Sequence, residues 1–312
     1  MRNAFQRCSA RVGIIAPFAA FLFFATAHSA FAGPILGTDL APFAILGGGG
    51  VTFDGGAPAS VITGSIGGCC TTHAITGAIP TDYTYSGGTL YLGADPATTA
   101  AHTELLTAMT ALEGMPAASL SSLDNNSTSI TGLGPGVYSV SVTNFNTTLF
   151  LDGGGNANAL WVFLLPSSLT TASSSTVIVQ HTGAGAGVYW VMEAASATLG
   201  SNSTFVGNIL ASAAISVGTN VTDSCGGLLT NSASVTLAGH DTIGIGCSDV
   251  LAGSNGLSGG GTLDFVNGVP VITPLPASFV PEPSAVFCLA PCLAALVIGR
   301  KRSRSKPSKS RA

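Results

Sequence analysis

Lysine and arginine are missing from almost all of this 312-residue chain. All ten lie within residues 1–11 or 300–312, whereas all fourteen acidic residues lie between Asp39 and Glu282. Nucleic-acid binding depends on basic side chains that neutralise phosphates, so the region between these ends is not expected to bind nucleic acid. Charged residues total only 8%, but 46% of the residues are hydrophobic, which is untypical of a disordered chain.

Catalytic motifs are also missing from the sequence. It contains no G-x-S-x-G elbow, no H-E-x-x-H and no phosphate-binding loop. A glycan hydrolase with two carboxylates would have Asp223, Asp241 and Asp249 as its crowded candidates. Adjacent Cys69 and Cys70 lack the C-x-x-C spacing of a zinc site. We therefore expect a non-enzymatic protein with neither a metal nor a cofactor.

What the chain does contain is a repeat. Three phrases pair a hydroxyl residue with aliphatic neighbours and end on a small residue: Ala197-Thr198-Leu199-Gly200, Ile215-Ser216-Val217-Gly218 and Val235-Thr236-Leu237-Ala238. A nearly constant period of about 20 residues in β-prone sequence is typical of a solenoid, in which each turn of chain buries its inner face against its neighbours. The sequence therefore predicts a mainly β protein.

Alternation within a strand fixes which side chains of the repeat share a face. Leu199, Val217 and Leu237 are predicted to point inward and to form one interior column. Thr198, Ser216 and Thr236 then stack outward. Similar phrases nearer the N-terminus add Thr52, Thr63 and Thr76 to this face if the early turns intercalate. The alternative is a β face that is merely solvated.

One segment breaks the β pattern. Asp95 is a good helix N-cap, Pro96 suits the first helical position, and apolar residues follow at helical spacing until Gly114. The pattern predicts one amphipathic helix over about 96–113 that covers the side of the solenoid. The alternative is a helix that binds a partner.

The two ends have the composition of export signals. Residues 1–32 combine a basic start, an apolar core and the small-x-small site Ala30-Phe31-Ala32, as in a secretory signal peptide. We expect a folded domain over 33–266 and a proline-rich linker over 267–280. The segment 281–312 then carries Pro281-Glu282-Pro283, fifteen apolar residues and a basic tail.

Cysteine usage fits an exported protein. Cys69, Cys70, Cys225 and Cys247 form an even number in the predicted domain, and four cysteines allow three pairings. A disulfide between Cys225 and Cys247 is favoured because the interval between them is close to one turn of the repeat. The other pairings stay open.

The C-terminal segment resembles the PEP-CTERM sorting signal of Gram-negative bacteria, in which a Pro-Glu-Pro motif, an apolar stretch and a basic cluster occur in this order. The resemblance implies recognition by an exosortase, transient membrane anchoring and delivery to the cell surface or extracellular matrix. Fifteen apolar residues are short for a stable membrane helix, and the basic end fits a cytoplasmic stop.

The body is similar to the secreted microbial ice-binding family with a discontinuous β-solenoid. The similarity covers residues 36–243 and rests on phrases such as Gly134-Pro135-Gly136-Val137-Tyr138, Leu160-Trp161-Val162-Phe163 and Gly207-Asn208-Ile209-Leu210-Ala211. It implies a right-handed parallel β-solenoid of roughly triangular section, with the helix packed alongside and early and late segments interleaved. The family's Thr-Ala/Gly-x-Thr/Asn motif occurs only at Thr107-Ala108-Met109-Thr110, within the predicted helix.

For function, the resemblance implies adsorption to ice through one flat, uncharged face. We expect this face to be the one rich in Thr, Ser and Ala that includes Thr198, Ser216 and Thr236, with Thr52, Thr63 and Thr76 as contributors. A structural or adhesive matrix protein that binds exopolysaccharide or cells on the same scaffold is the alternative.

Overall fold

The computed structural model describes residues 33–68, 75–93, 95–123 and 132–278. The predicted signal peptide, the sorting motif Pro281-Glu282-Pro283 and the pair Cys69-Cys70 lie outside these residues. Parallel strands dominate the described chain and form three long sheets. A small antiparallel sheet and the predicted helix are added to them.

The first sheet runs along the whole stack. Its strands are β2 Phe43–Gly47, β5 Ser65–Gly68, β8 Leu90–Tyr91, β9 Ala118–Ser122, β10 Gly136–Val142, β13 Leu160–Leu165, β16 Gly187–Met192, β18 Asn208–Ala211 and β21 Leu228–Thr230. They are arranged in the order β8-β5-β2-β21-β18-β16-β13-β10-β9. Both faces of its central strands are buried, which explains why the sequence there is continuously apolar rather than alternating.

The second sheet contains β3 Val51–Phe53, β6 Ile75–Thr76, β11 Asn144–Phe145, β14 Leu169–Thr171, β17 Ala197–Leu199, β19 Ile215–Val217 and β22 Val235–Leu237. Their order is β11-β14-β17-β19-β22-β3-β6. The third sheet contains β4 Ser60–Thr63, β7 Tyr83–Ser86, β12 Thr148–Asp152, β15 Thr176–Gln180, β20 Thr222–Asp223 and β23 Thr242–Gly244. Bridges through Thr204 join the two parts of the third sheet.

Apart from the edge strands β8 and β9, each strand of the first sheet is followed by a segment of the second sheet and then of the third, so the three sheets enclose one shared core. Leu199, Val217 and Leu237 pair in register, and none is more than 3% exposed. The predicted interior column is therefore confirmed. Burial of successive aliphatic side chains against their neighbours above and below stabilises a fold whose single turns have no core of their own.

The turns are not stacked in chain order. β2, β3 and β4 pair with β21, β22 and β23, which belong to a turn near the other end of the domain sequence. The helix makes this possible, because it connects β8 at one edge of the first sheet to β9 at the other. The interleaving that the resemblance implied is confirmed.

This helix, α2, spans Pro96–Glu113, and the Asp95 carboxylate accepts a hydrogen bond from the Ala97 N–H at 2.8 Å. Its apolar stripe includes Ala101, Leu105 and Leu112, which pack on the outer surface of the first sheet. A one-turn helix, α1 Gly37–Leu40, packs nearby, and a 3-10 helix spans Asp249–Leu251. No helix in the described ranges has the length and apolar composition needed to cross a bilayer.

A small antiparallel sheet lies beside α2 and consists of β1 Gly33–Pro34, β24 Gly261–Val266 and β25 Val269–Pro274. The linker predicted for 267–280 was therefore wrong over its first half. Asn267 and Gly268 both have positive φ, as a tight hairpin turn requires. Pro270 is tolerated because β25 is an edge strand.

Aromatic rings add to the core across adjacent turns. Trp190 stacks on Phe163 with ring centroids 4.1 Å apart, and Phe205 lies 5.0 Å away on its other side. The indole N–H of Trp190 donates to the Val206 carbonyl, and that of Trp161 to the Leu133 carbonyl, both at 3.0 Å. Both tryptophans are completely buried, so neither offers an aromatic platform to a sugar.

The predicted disulfide between Cys225 and Cys247 is present. It joins consecutive turns at the edge where the third sheet returns to the first. Because it closes a loop of 22 residues, we expect Cys247→Ser to lower the free energy of unfolding by about 3 kcal/mol. Denaturant unfolding under non-reducing conditions measures this loss, and Ser224→Ala, next to the bond, is the matched control. A Cys247→Ser variant as stable as the control would contradict the prediction.

Candidate functional site

An unbroken column of small polar side chains points outward along the second sheet. The strand register places one such residue on each of seven consecutive turns: Asn144, Thr170, Thr198, Ser216, Thr236, Thr52 and Thr76. Neighbouring turns of a parallel ladder are about 4.8 Å apart, so the column repeats with that spacing. The structure brings together five of the six predicted residues and adds Thr170 and Asn144.

Local sequence explains the outward orientation. In β14, β17, β19 and β22 of the second sheet, the first and third side chains are buried and the central one is at least partly exposed. Thr198 and Ser216 are both exposed. No other described residue forms a hydrogen bond to the hydroxyls of Thr198, Ser216 or Thr236. These hydroxyls are therefore free to bind water.

Small residues flank this column in the four central turns. They precede or follow the central hydroxyl residue by two positions, and are Ser168, Ser196, Ala214 and Ser234 on one side and Ala172, Gly200, Gly218 and Ala238 on the other. The alternation of a strand brings residues two apart to the same face, with a separation of about 6.6 Å. On the outer face of the second sheet, these four turns therefore present a flat surface of hydroxyl, methyl and backbone groups. No charged side chain lies among these residues. We call this flat surface the threonine surface.

The structure corrects the assignment of Thr63. This residue ends β4, which belongs to the third sheet, and it follows the exposed Val61 by two positions. The reason lies in the spacing. Thr52 and Thr63 are separated by only about half the repeat, so they fall on successive sheets of the same turn and not on successive turns of one sheet.

A second column of threonines, which the sequence analysis missed, occupies the third sheet. Its outward residues on seven turns are Thr148, Thr176, Thr204, Thr222, Thr242, Val61 and Thr84. Thr204, Thr222 and Thr242 recur with the same spacing as the three phrases of the second sheet. That repeat was the signal that could have identified them.

The third-sheet column differs from the threonine surface in its neighbours. Ile178 is exposed and Phe150 and Val206 are partly exposed, two positions beyond Thr176, Thr148 and Thr204. These bulky side chains make the outer surface of the third sheet uneven. On the second sheet the corresponding residues are Ser, Ala and Gly, and the surface is flat. The edge between the two sheets is formed by residues with positive φ, among them Asn202 and Asn220, whose side-chain amides hydrogen-bond at 2.9 Å.

The three aspartates proposed for a hydrolase do not form a catalytic pair. Asp223 and Asp241 are buried, at 0% and 1% exposure, so substrate has no access to either. Asp249 is exposed in the 3-10 helix. Asp241 accepts hydrogen bonds from the N–H groups of Val221 and Gly239 at 2.8 and 3.1 Å, which gives it a structural role.

Burial raises the pKa of Asp241 to about 6, although these backbone donors act in the opposite direction. Asp223 has no hydrogen-bond partner for either carboxyl oxygen within the described chain. Burial raises its pKa to about 8, and the nearby Cys225 N–H opposes this shift only in part, without reaching hydrogen-bond geometry. Both groups point into the protein, away from the threonine surface.

No cluster of three or more metal-ligating side chains occurs within the described residues. The Thr-Ala/Gly-x-Thr/Asn motif is also accounted for. The hydroxyls of Thr107 and Thr110 donate to carbonyls one turn earlier in α2, those of Thr103 and Leu106, at 2.9 Å each. These two threonines therefore belong to the helix and not to a flat β face.

Comparison with known proteins agrees with this geometry. An ice-binding protein from Nostoc sp. (strain HG1) is 36% identical over 229 residues, which is 73% of this chain and 80% of that protein. The crystal structure of an ice-binding protein from the Antarctic ascomycete Antarctomyces psychrotrophicus has a TM-score of 0.59 and 31% identity, and it covers 69% of this chain and all of that one. A glycosylated ice-binding protein from an Arctic yeast has a TM-score of 0.55 at 21% identity, with coverages of 68% and 94%, and this likeness concerns the fold alone.

The family model described as ice-binding-like matches residues 45–243, which include the strands of both threonine columns from β3 to β23. The match spans more than half of the chain. This protein belongs to the ice-binding-like family.

Proposed function

We propose that this protein binds ice through the threonine surface. The observation that carries the proposal is the register of Thr170, Thr198, Ser216 and Thr236, which repeats one hydroxyl-bearing side chain per turn on a surface of small, uncharged neighbours. The relatives named as ice-binding proteins support the same conclusion. The right-handed winding and roughly triangular section expected from the resemblance are part of this proposal.

Two physical properties suit this surface to ice. A parallel ladder is rigid and periodic, so the hydroxyl and methyl groups of successive turns hold water at regular intervals of about 4.8 Å. A charged side chain would orient its own hydration shell, and the described chain contains neither Lys nor Arg. Each contact with ice is weak, but the four turns of the threonine surface engage together because one rigid sheet carries them all.

The proposal includes the cellular context suggested by the two ends of the sequence. We propose that residues 1–32 direct export from a Gram-negative cell and that Pro281-Glu282-Pro283 is the recognition motif of an exosortase-type enzyme. The apolar stretch and basic tail that follow would anchor the chain in the membrane until it is processed. The mature protein then belongs to the cell surface or matrix.

Ice binding is tested with the purified protein in ice-shaping and recrystallisation assays. We expect faceted single crystals and small grain size in its presence, compared with the heat-denatured protein. Co-sedimentation with exopolysaccharide addresses the adhesive alternative. A folded protein that leaves ice growth unchanged but sediments with the polysaccharide would overturn the ice proposal and support the matrix role.

A further inference from the structure

Side chains of another turn fix residues 275–278 on the body of the solenoid. Residues 275–278 follow β25 and are hydrogen-bonded to the connection formed by residues 153–159. The Asn158 side-chain amide donates to the Pro276 carbonyl at 3.0 Å, and the Ser278 N–H donates to the Asn156 side chain at 3.1 Å. The Ala157 N–H donates to the Ser278 carbonyl, and the Leu275 N–H donates to the Gly260 carbonyl at 2.9 Å.

The connection that receives this segment is itself held in place. The Asn156 side chain also accepts from the Asn158 N–H at 3.0 Å, and the Asn156 carbonyl accepts from the Thr182 hydroxyl at 2.7 Å. Asn156 and Asn158 are therefore positioning residues for the exit of the chain. The place of residues 275–278 is thus determined by side chains of a different turn.

The position of this exit relative to the threonine surface follows from topology. Residues 153–159 lead from β12 of the third sheet to β13 of the first sheet. Of the three edges between sheets, this is the one that does not border the second sheet. Because the three sheets enclose one core, the exit lies across that core from the threonine surface.

We propose that this arrangement makes the protein an ice tether: a molecule held by the chain that follows Ser278 presents its threonine surface away from the holder. The inference rests on the proposed ice binding and adds that ice is bound in trans, between a lipid or matrix surface and the crystal. Until processing at Pro281-Glu282-Pro283 the holder is the membrane, because fifteen apolar residues over 285–299 are followed by seven basic residues. After processing the holder is the matrix, and residues 275–278 still lie before the processed motif.

The other faces are less suited to this role. The outer surface of the first sheet is covered by α2 and is therefore unavailable to a crystal. The third sheet borders the exit edge, so attachment there brings the holder beside it. Among the three sheets of the described chain, the second is the one that neither carries α2 nor borders the edge where residues 275–278 are held.

Bead capture by ice tests the proposal with the full chain. In one arm, beads carry the protein through Ala277→p-azidophenylalanine, an exposed position in the segment held by Asn156 and Asn158. In the other, they carry it through Glu193→p-azidophenylalanine, an exposed position in the connection from the first sheet to the second. We expect roughly tenfold more beads on the ice in the first arm, because avidity requires that many surfaces can face the crystal together.

Measurements on the soluble proteins distinguish a failure of ice binding from a failure of the tether arrangement. Both soluble proteins should shape ice equally, since Glu193 lies outside the threonine surface. Soluble wild type that leaves ice unaltered would overturn the ice proposal and this inference with it. Active soluble proteins whose two bead preparations are captured equally, or better through Glu193, would overturn the tether arrangement alone.

Discussion

Replacing Thr236 with tyrosine is expected to abolish most of the ice-shaping activity while the protein stays folded. Thr236 lies near the middle of the outward column, between Ser216 and Thr52. A phenol ring there would stand above the small residues around it and hold the crystal away from the neighbouring turns. Substitutions at the centre of an interface reduce binding on the order of tenfold or more. Thermal hysteresis measured against protein concentration gives the size of the loss.

The fold should tolerate this change. The Thr236 side chain points outward between buried Val235 and Leu237, and tyrosine is a good strand former. We therefore expect the free energy of unfolding to change by no more than about 0.5 kcal/mol. Circular dichroism and denaturant unfolding of the same samples establish this.

Thr242→Tyr is the matched control for this experiment. Thr242 belongs to the same turn and is exposed, but it points outward from the third sheet. If the second sheet binds ice, Thr242→Tyr keeps its activity and Thr236→Tyr loses it. The reverse result would assign ice binding to the third-sheet column, and equal activity in both variants would exclude both central positions.

The parts of the threonine surface that the sequence predicted are those in which the repeat is regular. Thr198, Ser216 and Thr236 are separated by connections of nearly equal length, so a simple offset aligns them. Thr170 precedes Thr198 by a clearly longer interval, because the intervening connections are longer. A fixed period cannot include it, although its strand has the same pattern of buried and exposed residues.

The insertion of the early turns has a different origin. Nothing local in β3 indicates that Val51, Thr52 and Phe53 will pair with β22, which lies near the opposite end of the domain sequence. That pairing depends on α2 returning the chain to the far end of the stack, which is a property of the whole fold. Resemblance to a family could suggest it, whereas composition and spacing could not. The same limitation placed Thr63 on the wrong sheet.

A buried carboxyl group was the other feature that sequence reasoning did not predict. Asp223 follows an outward threonine, so alternation along β20 directs its side chain inward, opposite Ile243. An isolated carboxylate in a core is costly, and its hydropathy alone would have placed it at the surface. Only the register of the third sheet, established through Thr222, shows that it is inside.

The buried carboxyl of Asp223 is expected to make the protein more stable in acid than in alkali. Its pKa of about 8 in the folded protein lies above the ordinary aspartate value near 4. Between these values the folded protein keeps the proton while the unfolded chain has lost it, so stability falls as pH rises. The contribution of Asp223 to the free energy of unfolding is therefore complete below pH 4 and lost above pH 8. Its size is on the order of 5 kcal/mol.

Asp223→Asn removes this titration while it keeps the shape of the side chain. We expect the variant to match the wild type near pH 4 and to exceed it at pH 9, because the neutral amide needs no desolvation of a charge. Denaturant unfolding at pH 4, 6 and 9 measures the difference. Asp54→Asn, which makes the same substitution at an exposed position, is the matched control.

A second buried acid, Asp241, determines the pH dependence of the unfolding free energy that remains in Asp223→Asn. The pKa of Asp241 is raised to about 6, mainly by burial, so its contribution has the same sign but ends near pH 6. Stability of Asp223→Asn should therefore still decrease between pH 4 and 6 and then stay level to pH 9. A variant whose curve runs parallel to that of the wild type over the whole range would show that Asp223 is not protonated in the folded protein. A charged Asp223 carboxylate in the core would then require a partner that supplies a hydrogen bond or a positive charge.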